Sequence, residues 1–236
     1  MKIIAAAATA VLTALWAGLA GAITISDPTD WTSGWVYSTV EVAGVGTASF
    51  TVEPTGGNPG ARLNSTTVTP TGADTAFSAA VYQAVTVAAP QSGTPFVMRV
   101  DVLSGPGDFG QGQGVQGLVA QGGSLYQTSF GVTGFPFNTW TTLSYSGTFT
   151  AAAFTKVSGP GPATPSFDGV TPTSFGFAVG NNKSATLTQY YDNWNITFAS
   201  SASAGSAVIP TLSNGSLVLL AALVALAAFA LRRRRP

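Results

Sequence analysis

The chain has no cysteine and no histidine. Without cysteine, no disulfide can staple the fold. Without histidine, catalytic triads, imidazole acid–base chemistry and His-ligated metal sites are all excluded. Charge is scarce as well, at 8% of the 236 residues, and the glutamates are Glu41 and Glu53 alone. Enzymatic glycan cleavage usually needs two carboxylates at a set separation. These two flank the expected turn Val45-Gly46, which would let them face each other across a hairpin. No further acidic cluster joins them, so solvation of the surface is the preferred reading. Serine and threonine abound, but a nucleophile needs a base beside it and the sequence offers none. The glycines from Gly105 to Gly117 lack the Gly-Lys-Ser/Thr ending of a phosphate loop and read as a connection between strands.

Zero formal charge conceals a division. Arg232, Arg233, Arg234 and Arg235 close the chain and Lys2 opens it, while every acidic residue lies between. The middle holds four basic and nine acidic side chains, a net charge of −5. That argues against nucleic acid, which needs a basic face.

What the chain does have is 14 Phe, 6 Tyr and 5 Trp with 28 Gly and much Val and Thr. Aromatics at that density separate it from disordered sequence. Short β-favouring runs alternate with turn residues, which predicts a sandwich or barrel. The expected strands are 48–52, 62–69, 77–87, 96–103, 115–121, 125–132, 141–149, 174–179 and 193–198. In 96–103, Phe96, Met98, Val100 and Val102 alternate toward the core, leaving Arg99 and Asp101 to share an exposed face, with a surface ion pair as the preferred reading.

Both ends read as addresses. Lys2, an apolar run to about Leu19 and the small-x-small site Ala20-Gly21-Ala22 form a secretory signal, with cleavage expected after Ala22. The implied partners are the Sec translocon and signal peptidase. Residues 200–208 are a small polar linker. The apolar run Leu217–Leu231 then precedes the arginines. It is short against the ~20 residues that span a bilayer, so the expected transmembrane helix, 216–231, is thin or strained. The arginines would stay cytoplasmic and the middle domain outside.

Ile209-Pro210-Thr211-Leu212, the apolar run and the Arg cluster together resemble the IPTL-type C-terminal sorting signals of Gram-negative bacteria. Ser213-Asn214-Gly215-Ser216 departs from that family, which usually continues with an acidic residue and a Trp-Gly pair. The resemblance implies handling by an exosortase-like membrane peptidase, with cleavage near the motif. It places the protein at the cell envelope or surface, held by the membrane at least transiently.

The middle carries a second resemblance. Trp140 to Phe149, then Tyr190-Tyr191-Asp192-Asn193-Trp194-Asn195-Ile196-Thr197-Phe198, with Gly57-Asn58-Pro59-Gly60 before a strand, look like jelly-roll carbohydrate-binding modules. The expected fold is therefore all-β, a jelly-roll β-sandwich over 23–199 flanked by a signal helix (1–22) and the sorting tail (209–236). The resemblance implies a non-catalytic protein that binds polysaccharide. Alternatives are a structural or adhesive envelope protein without a small ligand, and a divergent glycan-active enzyme. It also suggests a structural calcium at Asp192, with Asp27 or Asp30 as weaker partners; a turn-forming Asp-Asn pair explains Asp192 equally well. Trp31 and Trp35, the least strand-like aromatics, are expected to be exposed for ligand, with Gln111, Gln113 and Gln116 supplying amides.

Overall fold

The computed structural model describes residues 21–27, 31–72, 74–105, 113–132 and 139–200; the side chains of 41–43 and 129–132 are outside that description. The signal run to Ala20, Asp30, Gln111 and the whole tail, including Ile209, Pro210, Thr211, Leu212 and Arg232 to Arg235, lie outside the described residues.

Among the described residues twelve strands follow one another in sequence: β1 (Ala22–Ser26), β2 (Trp35–Ala43), β3 (Thr47–Glu53), β4 (Arg62–Thr69), β5 (Thr75–Ala88), β6 (Pro95–Ser104), β7 (Gly114–Gln121), β8 (Ser124–Val132), β9 (Thr141–Thr148), β10 (Thr155–Ser158), β11 (Pro172–Asn181) and β12 (Ala185–Ala199). They form two six-stranded sheets. The first runs β3-β4-β12-β6-β9, with β1 also on β12; the second runs β10-β8-β7-β11-β5-β2. This is the all-β jelly-roll sandwich that the sequence leads one to expect. Among the described residues no helix is long and apolar enough to cross a membrane.

Period-2 alternation sets the layers. In β6 the side chains of Phe96, Met98, Val100 and Val102 are all buried while Arg99 is exposed. β4 alternates along its full length. Pairing by register carries this alternation into neighbouring strands, so one face of each sheet fills a shared core. At one end of that core, Phe149 touches Phe96, Phe154, Phe167, Phe175 and Phe198. At the other end, Trp35 meets Trp31, Tyr82, Phe177 and Trp194. A second, smaller apolar cluster, Ala79, Val81, Leu118 and Ala178, lies on the opposite face of β5, β7 and β11. The β7–β8 hairpin turns on Gly122 and Gly123, whose φ values of 55° and 79° suit the two-residue turn that matches strand twist.

Two expectations are corrected here. Glu41 and Glu53 do not face each other across a hairpin: β2 pairs with β5 in the second sheet, and β3 pairs with β4 in the first. The chain changes sheets at Gly44-Val45-Gly46 instead of folding back on itself. Nor does Asp101 share an exposed face with Arg99. Asp101 is only 9% exposed, and the ion pair among the described residues is Arg62–Glu53.

Candidate functional site

The densest polar constellation sits on the outward face of the first sheet, where the β3–β4 connection folds back over β6 and β12. Glu53 and Arg62 are cross-strand partners. Arg62 Nε donates to Glu53 Oε2 at 2.6 Å, and Asn64 Nδ2 donates to Glu53 Oε1 at 2.7 Å. The guanidinium carbon also lies 3.5 Å from the centroid of the half-buried Tyr190 ring. Burial alone would raise the Glu53 carboxyl, but the Asn64 amide and the Arg62 guanidinium outweigh it and hold the group below the usual carboxylate range.

Beyond this pair the loop crosses to the bulge of β12. Asp192 and Asp101 are directly opposite in the β12–β6 ladder, and the register breaks just after them, between Asp192 and Asn195. Asp192 is 3% exposed. Its Oδ2 accepts from the backbone N–H of Asn58 and its Oδ1 from the N–H of Asn193 at 2.8 Å. Asp101 Oδ2 accepts from the side-chain amides of Asn58 at 3.2 Å and Asn193 at 2.9 Å, and Oδ1 from the Thr142 hydroxyl at 2.5 Å. Asn193 also donates to the carbonyl of Asn58. Two local features permit this. Asn193 takes a left-handed φ of 51°, a region asparagine tolerates better than most residues. Gly57 leaves the loop close enough to reach Asp192, since a Cβ there would stand 2.8 Å from Asp192 Oδ2 and 2.1 Å from the Ala61 carbonyl oxygen.

Trp31 and Trp35 are corrected from platform to core. Trp31 is 2% exposed, and Trp35 is partly buried against the core cluster. Asp27 Oδ2 accepts the Trp31 backbone N–H at 2.6 Å and the Trp35 indole N–H at 2.8 Å, while both rings pack on each other and on Phe177. Tyr126, Tyr191 and Trp194 are buried too, and the exposed large apolar side chains among the described residues are Val36, Val45 and Val170. Gln113, offered as a ligand amide, is fully buried. It donates to Ser65 O, Thr67 Oγ1 and Leu187 O, and accepts from Tyr191. Asp101, Asn58 and Asn193 were missing from the sequence-derived site. The signals were present in the Asn-Pro-Gly turn and the Asp-Asn pair, but only the fold joins them.

Comparison with known proteins adds the tail. Residues 207–235 match the IPTL-CTERM motif. The IPTL-CTERM stretch thus begins two residues before Ile209 and takes in Arg232 to Arg235. No curated protein matches the chain in sequence. Similar solved structures include a family 11 carbohydrate-binding module of Clostridium thermocellum in complex with a β-1,3-1,4-mixed-linked tetrasaccharide. It is 15% identical, with 76% of this chain and 96% of that one covered and a TM-score of 0.46. Another is the CBM22-1 xylan-binding domain of Paenibacillus barcinonensis Xyn10C, at 11% identity, 76% and 95% coverage and a TM-score of 0.41. The lectin UEA-II complexed with galactose stands at 13%, 76% and 98%, with a TM-score of 0.41.

Proposed function

We propose that this is an exported, non-catalytic envelope protein, sorted by its IPTL-CTERM tail, whose β-sandwich presents a polar sheet face to polysaccharide. The IPTL-CTERM match at 207–235 is the observation that carries this reading. In it, residues 1–22 direct export, 200–208 link domain to tail, and an exosortase-like peptidase acts near Ile209 to Leu212.

The binding half draws support from the outward face of the first sheet. Thr51, Asn64, Thr66, Thr188 and Asn195 stand there between core-facing neighbours, with Tyr190 among them. Hydroxyls and amides of this kind exchange hydrogen bonds with sugar hydroxyls, and little charge competes. The non-catalytic half draws support from the tasks of the acidic groups. Asp27 holds two tryptophans, Glu53 holds Arg62 and Asn64, Asp74 holds the backbone of Val45 and Thr71, and Asp168 holds its own turn. Asp101 and Asp192 hold the loop.

A second reading, a structural or adhesive protein with no small ligand, is favoured by one observation: Trp31, Trp35, Trp194, Tyr37, Tyr82, Tyr126, Tyr145 and Tyr191 are drawn into or against the core, and Tyr190 lies under Arg62. Pull-down and glycan-array binding with the purified protein distinguish the two. Binding to a polysaccharide that weakens in Asn64→Ala and Tyr190→Ala supports the first. A flat response with self-association overturns it in favour of the second.

A further inference from the structure

The jelly-roll resemblance implies a calcium ion at Asp192, so the donor set there can be tested against one. Calcium takes six to eight oxygen ligands at about 2.3–2.6 Å, each offering a lone pair. Around Asp192 and Asp101 the groups offer protons instead. All four carboxylate oxygens accept N–H or O–H donors: two backbone N–H groups on Asp192, and two side-chain amides and a hydroxyl on Asp101. Asp27, the partner the resemblance suggests, is engaged with Trp31 and Trp35. Among the described residues no three acidic groups gather around a common point. The arrangement does not fit a cation between these two carboxylates.

Two aspartates in register and almost fully buried would nonetheless repel each other strongly, and burying either charge without compensation is costly. We propose that the amides of Asn58 and Asn193 do here what a divalent cation would do: they cross-link Asp101 to Asp192 and pin the 54–61 loop over β6 and β12, so that the domain closes without calcium. Asn58 spans the pair, giving its backbone N–H to one aspartate and its side-chain amide to the other. Asn193 does the same from the other side and grips the Asn58 carbonyl as well. Each asparagine is thus bivalent, through its backbone N–H and its side chain, as a bridging ion is. The lock is built from loop and bulge together, which explains why a glycine must precede Asn58 and why Asn193 is held left-handed.

Thermal melting of the full chain tests this, in chelator, in millimolar CaCl2 and in matched MgCl2. The wild-type melting temperature is expected to be the same in all three, and calorimetric titration with CaCl2 is expected to show no heat of binding. Asn58→Ala should lower the melting temperature by roughly 2–8 °C, because the side-chain donor to the buried Asp101 is lost while the backbone N–H to Asp192 remains. Asn58→Asp supplies a third carboxylate in place of the amide. That variant should melt low in chelator and recover in CaCl2, the reverse of the wild type. A calcium-specific rise for the wild type overturns the proposal. So does an unchanged melting temperature in Asn58→Ala, or an Asn58→Asp variant that calcium fails to rescue.

Discussion

At the scale of single residues, the acids of this chain act as structural fasteners, and their titration follows from that. Asp168 accepts the N–H and the hydroxyl of Thr171 and then the N–H of Val170, which together hold its carboxyl well below the usual range. For Asp74, the donors on Thr71 and the Val45 N–H outweigh a smaller burial effect in the other direction and lower it too. Glu53, between Arg62 and Asn64, is also lowered. A carboxyl depressed in the folded state contributes stability that is present above its unfolded value, and that stability is lost as the pH falls through the folded value. With no histidine in the chain, no side chain with an ordinary pKa titrates between about pH 5 and 8. The melting temperature is therefore expected to stay level from neutral pH down to about 4 and to fall only below it. Glu53→Gln should shallow that acid limb. A decline already under way between pH 7 and 5 would contradict this account. Packing at this scale also limited what the sequence reveals. Nothing in Asp-x-x-Asp-Trp says that the rings of Trp31 and Trp35 will pack on Phe177. That packing depends on where β2 meets β5, so a segment that reads as exposed loop becomes core.

At the scale of elements, legibility follows local periodicity. β4 was expected over 62–69 and is found there, because its alternation runs unbroken from Arg62 to Thr69. β7, β8, β9 and β6 lie within a residue or so of expectation for the same reason. β1, β2 and β10 were not expected: β1 and β10, at five and four residues, are too short to show a period, and β2 opens on Trp35, which reads as loop. The first half of β12, from Ala185 to Asp192, was hidden by Thr186 and Thr188 on its outward side and by Gln189, which serves a polar interior around Gln113. Gly176 lies inside the expected strand 174–179 and is a packing requirement in mid-β11, paired with Val81 on one side and Leu118 on the other. A Cβ there would stand 2.0 Å from the Ala80 carbonyl oxygen and 2.8 Å from Val81 Cα, both backbone atoms with no room to retreat. Gly176→Ala is expected to cost about 1–3 kcal/mol, whereas Gly72→Ala, with nothing within 4 Å of the new methyl group, should be near neutral. Phe149→Ala removes the ring that five other aromatics pack on and should cost about 3–5 kcal/mol. In a domain of this size each kcal/mol moves the midpoint by roughly 2–4 °C, so the three variants separate cleanly in a melt. Equal losses for the two glycine variants would show that crowding at Gly176 is relieved by movement of the strand.

At the scale of the whole molecule, the two ends of the sandwich lie together in the first sheet. β1 pairs with the last residues of β12, Ala22 opposite Ala199 and Ser26 opposite Asn195, and the Ser200 N–H reaches the Gly21 carbonyl at 2.8 Å. Entry to and exit from the domain are therefore adjacent in the first sheet. Cleavage after Ala22 would forfeit the outermost rung of that ladder but retain Ile23 and Ile25, the residues of β1 that pack on the core. Cleavage a few residues later would remove the strand. Folding stability thus sets a limit on where an N-terminal cut can fall, and a cut after Ala22, as proposed, would respect it. At the other end, everything from residue 201 onward follows the last strand. The intact mass of protein recovered from the cell surface is therefore expected to begin at Ile23 and to end near Ile209 to Leu212. A chain ending at residue 208 is expected to melt at the same temperature as the full-length protein while no longer being retained at the membrane. Replacing Pro210 and Leu212 by alanine should leave the melt unchanged and shift the recovered mass upward by the uncut tail. If the substituted chain is processed as before, the match at 207–235 does not mark the cut; if the truncated domain melts lower, the tail contributes to the fold itself.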